Sequence, residues 1–378
     1  MTANIPTKIL VVTDAWHPQV NGVVRTLAQL AKEARALGVE LVFLAPHEFF
    51  TLPLPNYPEI RLALPPPGAL ARKLDAVKPD AVHIATEGPL GHIMRRVCRR
   101  RGLPFTTGFH TRFPDYLAER IPLPQAWTRA LVWAWLRRFH AAGAAVMAAT
   151  PTLARELSER GFANVKIWPR GVDAQLFRPR PRSADAWPRP IFLTVGRLAV
   201  EKNLEAFLAL DLPGTKVIVG DGPARARLER QFPQAIFLGA RQGEALAEIY
   251  AMADVFVFPS RTDTFGLVLL EALASGVPVA AFPAAAPRDV LGDAPVGVLD
   301  EDLRHACLEA LDFPREACRV FALRMTWEAS ARIFLTHVAE ATKAVRLRRK
   351  WWRVSRISEP AQSLEGGNTG ADQARLEI

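Results

Sequence analysis

Two successive runs of short apolar, β-branched segments, each alternating with helix-like stretches, constrain this chain more than any other feature. The first run holds "KILVVTD", "VELVFLAP", "DAVHIAT", "LPFTTGFH" and "AAVMAAT". The second restarts at "PIFLTVGR" and continues through "TKVIVGDG", "AIFLGA", "DVFVFPS" and "VPVAAF". Strands separated by helices build parallel sheets wound with helices on both faces. Between the runs, "RPRPRSADAWPRP" (Arg178–Pro190) is proline-rich and lacks an apolar period, so it reads as a linker. A length of 378 residues also exceeds what one hydrophobic core usually organises.

The expected fold class is therefore α/β, with two facing Rossmann-like domains and a cleft between them. The first domain is expected over residues 1–180, the linker over 181–190 and the second domain over 191–330. A C-terminal helix with a basic segment follows over 331–358. Residues 359–378, polar and glycine-bearing, read as a disordered tail. Sheets of this kind bind ligands outside the carboxyl ends of their strands, and here both sets of ends line the cleft.

Two motifs at those ends carry charge. "FLTVGRLAVEKN" (Phe192–Asn203) leaves a strand, turns at Gly196 and presents Arg197 and then Lys202. Two cations there can clamp a diphosphate, each contact worth roughly 1.5–3 kcal/mol; incidental cations on a solvated loop are the alternative. "SRTDTFGLVLLEALASG" (Ser260–Gly276) follows a buried strand. Its helix is expected from Gly266 to about Ser275, with Gly276 as C-cap. The turn at Phe265, Gly266 and Leu267 aims backbone N–H groups into the cleft, an arrangement that binds anions. Asp263 is placed to accept hydrogen bonds from sugar hydroxyls. Glu271 stands among leucines, where an unpaired buried carboxylate costs several kcal/mol, so it must have a partner. A ribose diol and a structural arginine are the two candidates.

The spacing of Asp263 and Glu271, taken with "GRLAVEKN", "VGDGP" and "PSRTDTFGLVLLEALASGVPV", closely resembles family-4 retaining glycosyltransferases of the GT-B fold. The resembling subgroup includes sulfoquinovosyl- and glucosyl-diacylglycerol synthases and GDP-mannose-dependent mannosyltransferases. Members usually carry Glu at both ends of the acidic motif; this chain has Asp at the first. The resemblance implies that the first domain binds acceptor and the second binds the nucleotide sugar. It assigns Asp263 and nearby amides to the donor sugar, Glu271 to the ribose, and Arg197 with Lys202 to the diphosphate. It also implies that Asn21, Gly22 and Asp14 form an acceptor and phosphate loop. From the sequence alone, Gly22 reads as a close backbone approach or as a simple turn glycine. His110 falls at a strand's carboxyl end, where a histidine is either a structural hydrogen-bonder or a site residue. The resemblance places it near the reacting sugar, orienting rather than acting as sole base, because the leaving diphosphate itself helps deprotonate the acceptor. "TEGPLG" (Thr86–Gly91) and "WPRGVD" (Trp168–Asp173) match the subgroup, making Arg170 and Asp173 cleft residues or hinge scaffolding. One departure is "FPAAAPRDVL" (Phe282–Leu291), where members often have a Gly-Gly pair. The base is expected near "FLGARQGEAL" (Phe237–Leu246), and neither UDP nor GDP is singled out. No metal and no cofactor beyond the nucleotide-sugar co-substrate is expected.

Formal charge is +10, concentrated in "MRRVCRRRG" (Met94–Gly102) and "KAVRLRRKWWRVSR" (Lys343–Arg356), which points to an anionic partner. Nucleic acid is disfavoured because neither patch carries a recognisable binding motif. Tryptophan beside cations, in the second patch and in "WTRALVWAWLRRFH" (Trp127–His140), fits a segment lying at a bilayer interface. Core packing of the tryptophans is the competing reading of the latter. The expectation is a protein peripheral on the inner face of the cell membrane, glycosylating a lipid such as diacylglycerol. A mannosyltransferase with another acceptor and a non-catalytic membrane-binding scaffold are the alternatives. The opening "MTANIPTKILVVTD" shows no secretory signal layout. Cys98, Cys307 and Cys318 have no metal-ligand spacing and read as reduced, buried thiols of a cytoplasmic protein.

Overall fold

A computed structural model describes residues 6–19, 21–54, 57–110, 124–182 and 187–357. Two six-stranded sheets dominate it. In the first, strands β1 (Lys8–Val12), β2 (Glu40–Leu44), β5 (Ala81–Ile84), β6 (Phe105–Phe109), β7 (Ala145–Ala148) and β8 (Val165–Ile167) lie in the order β2-β1-β5-β6-β7-β8. In the second, β9 (Ile191–Val195), β10 (Thr215–Val219), β11 (Ile236–Phe237), β12 (Val255–Phe258), β13 (Val279–Ala281) and β14 (Gly297–Leu299) lie in the order β11-β10-β9-β12-β13-β14. Every pairing within both sheets is parallel.

Alternate residues of one strand enter different cores, which is why these strands read as unbroken apolar runs. Ile9 and Val11 join one cluster while Leu10 and Val12 join another. In the second sheet, Phe256 and Phe258 face one core, Val255 and Val257 the other. Each sheet thus buries both faces under helices.

Both sheets reverse winding direction once, between β1 and β5 and between β9 and β12. Loops leaving the carboxyl ends diverge there and open a crevice. The two crevices are where the motif residues sit.

The sequence pattern does not announce an antiparallel hairpin of β3 (Thr51–Leu54) and β4 (Tyr57–Ala63), nor the three-residue strands β8 and β14. The helix expected from residue 331 begins at Trp327 and runs to Ile357. Its Ala331, Phe334, Leu335 and Val338 pack with Ile9, Val11, Leu27 and Trp168 of the first sheet's layer, so the chain returns to its starting half. The crossing is tight: Trp168 Nε1 donates to Ser330 Oγ at 3.0 Å, and Ser330 Oγ donates to the Pro169 carbonyl at 2.6 Å. The side chains of the basic segment beyond Lys343, and the expected tail 359–378, lie outside the described residues. Cys98, Cys307 and Cys318 are buried and unbridged, and burial pushes each thiol up to about 12.

Candidate functional site

The loop after β9 carries Gly196, Arg197 and Lys202, and the loop after β12 carries Asp263, Phe265 and Gly266. Backbone bonds pin the first of these loops: Gly196 N–H to Val219 O and Leu198 N–H to Asp221 O, each 2.9 Å. Asn203, in the left-handed region at φ 51°, ends the loop and donates from Nδ2 to the Pro259 carbonyl at 3.2 Å. The two loops are thereby tied. Lys202 Nζ then reaches Asp263 Oδ1 at 2.5 Å, while Asp263 Oδ2 is buried with no hydrogen-bond partner among the described residues. Arg197 Nη2 stands 3.9 Å from Glu201 Oε1. The proposed diphosphate cation and the proposed sugar acid are therefore neighbours.

The following helix is Leu267–Ala274, one residue shorter at each end than the sequence suggests. Gly266 precedes it at φ 77°, no side chain caps its first turn, and Gly276 follows at φ 72°. Phe265 packs into the core below. Glu271, 4% exposed, lies on this helix. Its Oε2 accepts from the Tyr250 hydroxyl at 3.0 Å, and its Oε1 pairs with Arg25 Nη2, from the helix Gly22–Ala36 of the other half. Both carboxylate oxygens are engaged. Burial, and secondarily the Glu271 charge, pushes the Tyr250 phenol well above its usual range, so it stays a donor. The structural arginine weighed for Glu271 is thus present, and it comes from across the cleft.

On the facing edge, the side chains expected in the acceptor and phosphate loop make contacts within the protein. Asn21 Oδ1 accepts from the Val23 and Val24 N–H groups at 3.0 Å each, so its side chain caps a helix rather than reaching for phosphate. Gly22 faces open space, where a Cβ would meet no other part of the chain within 4 Å. Asp14 turns toward the helix Pro89–Arg101, accepting from Leu90 N–H at 2.9 Å and from Thr86 Oγ1 at 2.9 Å. Burial raises its carboxyl to about 6 against these hydrogen bonds. Asp173 likewise caps a turn, accepting from Gln175 and Leu176 N–H at 3.1 Å each.

His110 keeps a site geometry. Arg170, 4% exposed, stacks over the Trp168 ring at 4.2 Å and directs Nη2 to His110 Nδ1 at 3.2 Å. A guanidinium only donates, so Nδ1 accepts and the imidazole proton sits on Nε2. That Nε2 is buried close to Gly108, without a hydrogen-bond partner among the described residues. Burial, then the Arg170 charge, holds the ring neutral, well below the usual histidine range. Thr264 Oγ1 donates to the His110 carbonyl at 2.9 Å, placing His110 one residue from Asp263 across the cleft. In "FPAAAPRDVL", Asp289 accepts from Thr152 N–H at 2.9 Å and Oγ1 at 2.6 Å, a further tie between the halves.

Sequence reasoning missed Arg25, Tyr250 and a buried pair in which His140 Nε2 meets Glu87 Oε1 at 3.1 Å. Among the described residues no cluster of three or more His, Cys, Asp or Glu is placed to hold a metal ion.

Residues 20–176 match the model of Glycosyltransferase Family 4, and residues 189–312 match that of Glycosyl transferases group 1. The chain is 35% identical over 318 residues to a GDP-mannose-dependent alpha-mannosyltransferase of Mycobacterium tuberculosis, covering 77% of this chain and 83% of that one. It is 28% identical over 361 residues to a GDP-mannose-dependent alpha-(1-6)-phosphatidylinositol dimannoside mannosyltransferase of the same species, covering 86% and 94%. Among solved structures, a sucrose-phosphate synthase from Thermosynechococcus elongatus superposes with TM-score 0.65 at 19% identity, over 92% of this chain and all of that one. That likeness is one of fold, two parallel-sheet lobes of the GT-B type.

Proposed function

This chain belongs to glycosyltransferase family 4, and from that premise we propose that it moves a mannosyl group from GDP-mannose, with retention of anomeric configuration, to a lipid acceptor at the inner face of the cell membrane. The observation that carries the reading is the Lys202–Asp263 pair where the second sheet reverses direction, with the adjacent Thr264 bonded to the His110 carbonyl at the end of β6. The GDP-mannose donor is supported by the mannosyltransferase relatives, and the lipid by the phosphatidylinositol dimannoside enzyme.

In this proposal Arg197, Lys202 and the amides at Leu267 hold the diphosphate, charge against charge and dipole against charge. Glu271 takes the ribose diol by exchanging its Arg25 partner for two hydroxyls. Asp263 and the His110 Nε2–H hold the transferred sugar. A neutral imidazole suits that task, since it donates one hydrogen bond without adding positive charge beside a developing oxocarbenium ion. The departing diphosphate accepts the acceptor's proton on the face it leaves, so the reaction needs no enzyme nucleophile and no further cofactor.

Thermal shift with GDP, UDP and their sugars tests the donor. GDP at a hundredfold over its Kd should add about 2.7 kcal/mol of stability and raise Tm by several degrees, with UDP well behind. Transfer from labelled GDP-mannose into a membrane lipid extract, with the product's anomeric configuration read by NMR, tests the reaction. The absence of any shift with millimolar nucleotide sugars would end the reading.

Gly22 offers a second check. Gly22→Ala should leave the unfolding free energy from urea titration within about 0.5 kcal/mol of wild type, because no other part of the chain lies near the new methyl. It should still slow transfer, since only a bound substrate could collide with it. Unchanged turnover would remove Gly22 from the site.

A further inference from the structure

The helix Gln125–His140 answers the question of its tryptophans in two ways. Trp133 is half-buried, stacked parallel to Phe109 at 6.0 Å with Arg160 over its ring at 4.1 Å. Leu136 and Phe139 are buried in the core. Trp127, Leu131 and Trp135 instead point outward, 73%, 65% and 40% exposed. Their four-residue spacing makes one stripe, and Arg138 extends it by a further turn.

Beside this stripe runs the helix Pro89–Arg101. His92 contacts the Trp135 ring at 5.4 Å, and Arg95 donates to the carbonyls of Phe139 at 2.8 Å and Arg138 at 2.6 Å. The two helices hold eight arginines and no aspartate or glutamate. Among the described residues Arg96, Arg99, Arg100 and Arg138 form no ion pair, and Arg96, Arg99 and Arg138 are exposed. Burial first, then Arg99 and Arg138, lowers the Arg95 guanidinium, a sign that these cations crowd one another.

Single exposed apolar residues are ordinary, but a contiguous aromatic stripe rimmed by unneutralised cations is not. Indoles settle at the headgroup level of a bilayer, where the ring is partly desolvated and its N–H stays wet. Arginines beside them complement anionic headgroups. We propose that Trp127, Leu131 and Trp135, flanked by Arg96, Arg99 and Arg138, dock the enzyme on an anionic phospholipid surface. The proposal rests on the lipid-acceptor reading and gives it a site. The same helix ends at His140, bonded to Glu87 on the loop after β5, so the docked face leads to the cleft edge opposite the donor loops.

The test compares the full chain with the triple variant Trp127→Ser, Leu131→Ser, Trp135→Ser. Vesicles of phosphatidylcholine alone, and of phosphatidylcholine mixed with phosphatidylglycerol, serve as probes in cosedimentation. Wild type should favour the anionic vesicles, and the triple variant should bind them about tenfold more weakly. GDP binding, read on the same samples, should be unchanged, which separates loss of docking from failure of the glycosyltransferase reading. A measurement that needs no variant is tryptophan quenching of wild type by vesicles with brominated acyl chains, which should be strong. Equal vesicle binding by wild type and the triple variant would overturn the proposal, as would absent quenching. So would a concentration-dependent dimer that the triple variant abolishes, because the stripe would then belong to a second copy.

Discussion

Glu271→Ala is expected to lower kcat/KM for the donor by about 10- to 150-fold while the chain stays folded. The range follows from losing charge-assisted hydrogen bonds worth roughly 1.5–3 kcal/mol between the carboxylate and the ribose. The structural side effects fall on stability rather than on donor binding. Arg25 is 37% exposed and can turn to water when its partner goes. The Tyr250 hydroxyl is buried and loses its acceptor, costing about 1–3 kcal/mol. Arg25→Met separates the two roles of Glu271. If the carboxylate serves only to bridge the halves, Arg25→Met and Glu271→Ala should lower Tm alike and leave the donor KM alone. If it binds ribose, Glu271→Ala should raise that KM and Arg25→Met should not raise it to the same extent. A Glu271→Ala enzyme with wild-type KM would exclude the ribose role.

The parts of this site legible in the sequence are the local ones. "GRLAVEKN" and "SRTDTFG" each follow a strand, and a strand of a parallel sheet always delivers its next residues to the carboxyl edge. That is why the sequence alone places Lys202 and Asp263, 61 residues apart, at one cleft. Arg25 was not legible, because its partner is 246 residues away and a helical period reports which face is apolar, not which lobe covers the rest. The same limit applies to the tryptophans of Trp127–His140. Their composition fits core or membrane equally, and only their angular positions divide Trp133 from Trp127 and Trp135. Asn21 shows the reverse case. An asparagine immediately before a helix is a capping residue by local physics alone, and its side chain makes that cap here. The return of Trp327–Ile357 to the first half left no local trace, since an amphipathic helix packs against any apolar face of the right shape.

Gly220→Ala should produce a large loss of stability in the donor half, about 2–6 kcal/mol. Gly220 ends β10 at φ 142°, a conformation costly for alanine by about 1–3 kcal/mol. Its added Cβ would also lie 1.8 Å from the Gly196 carbonyl oxygen, which no rotamer change can relieve because both partners are backbone. Neither strand is free to retreat. β10 is held between β9 and β11, and β9 between β10 and β12. The remaining escape is for the turn at Gly196 to shift, which adds an overpacking cost of about 1–3 kcal/mol and moves Arg197 with it. The two consequences should appear together: a lower urea midpoint and a raised donor KM. Gly22→Ala, with open space around its new methyl, is the matched control for stability. A Gly220→Ala protein with both quantities unchanged would mean that the loops after β9 and β10 yield freely, and Arg197 would then not be held in place by its neighbours' backbone.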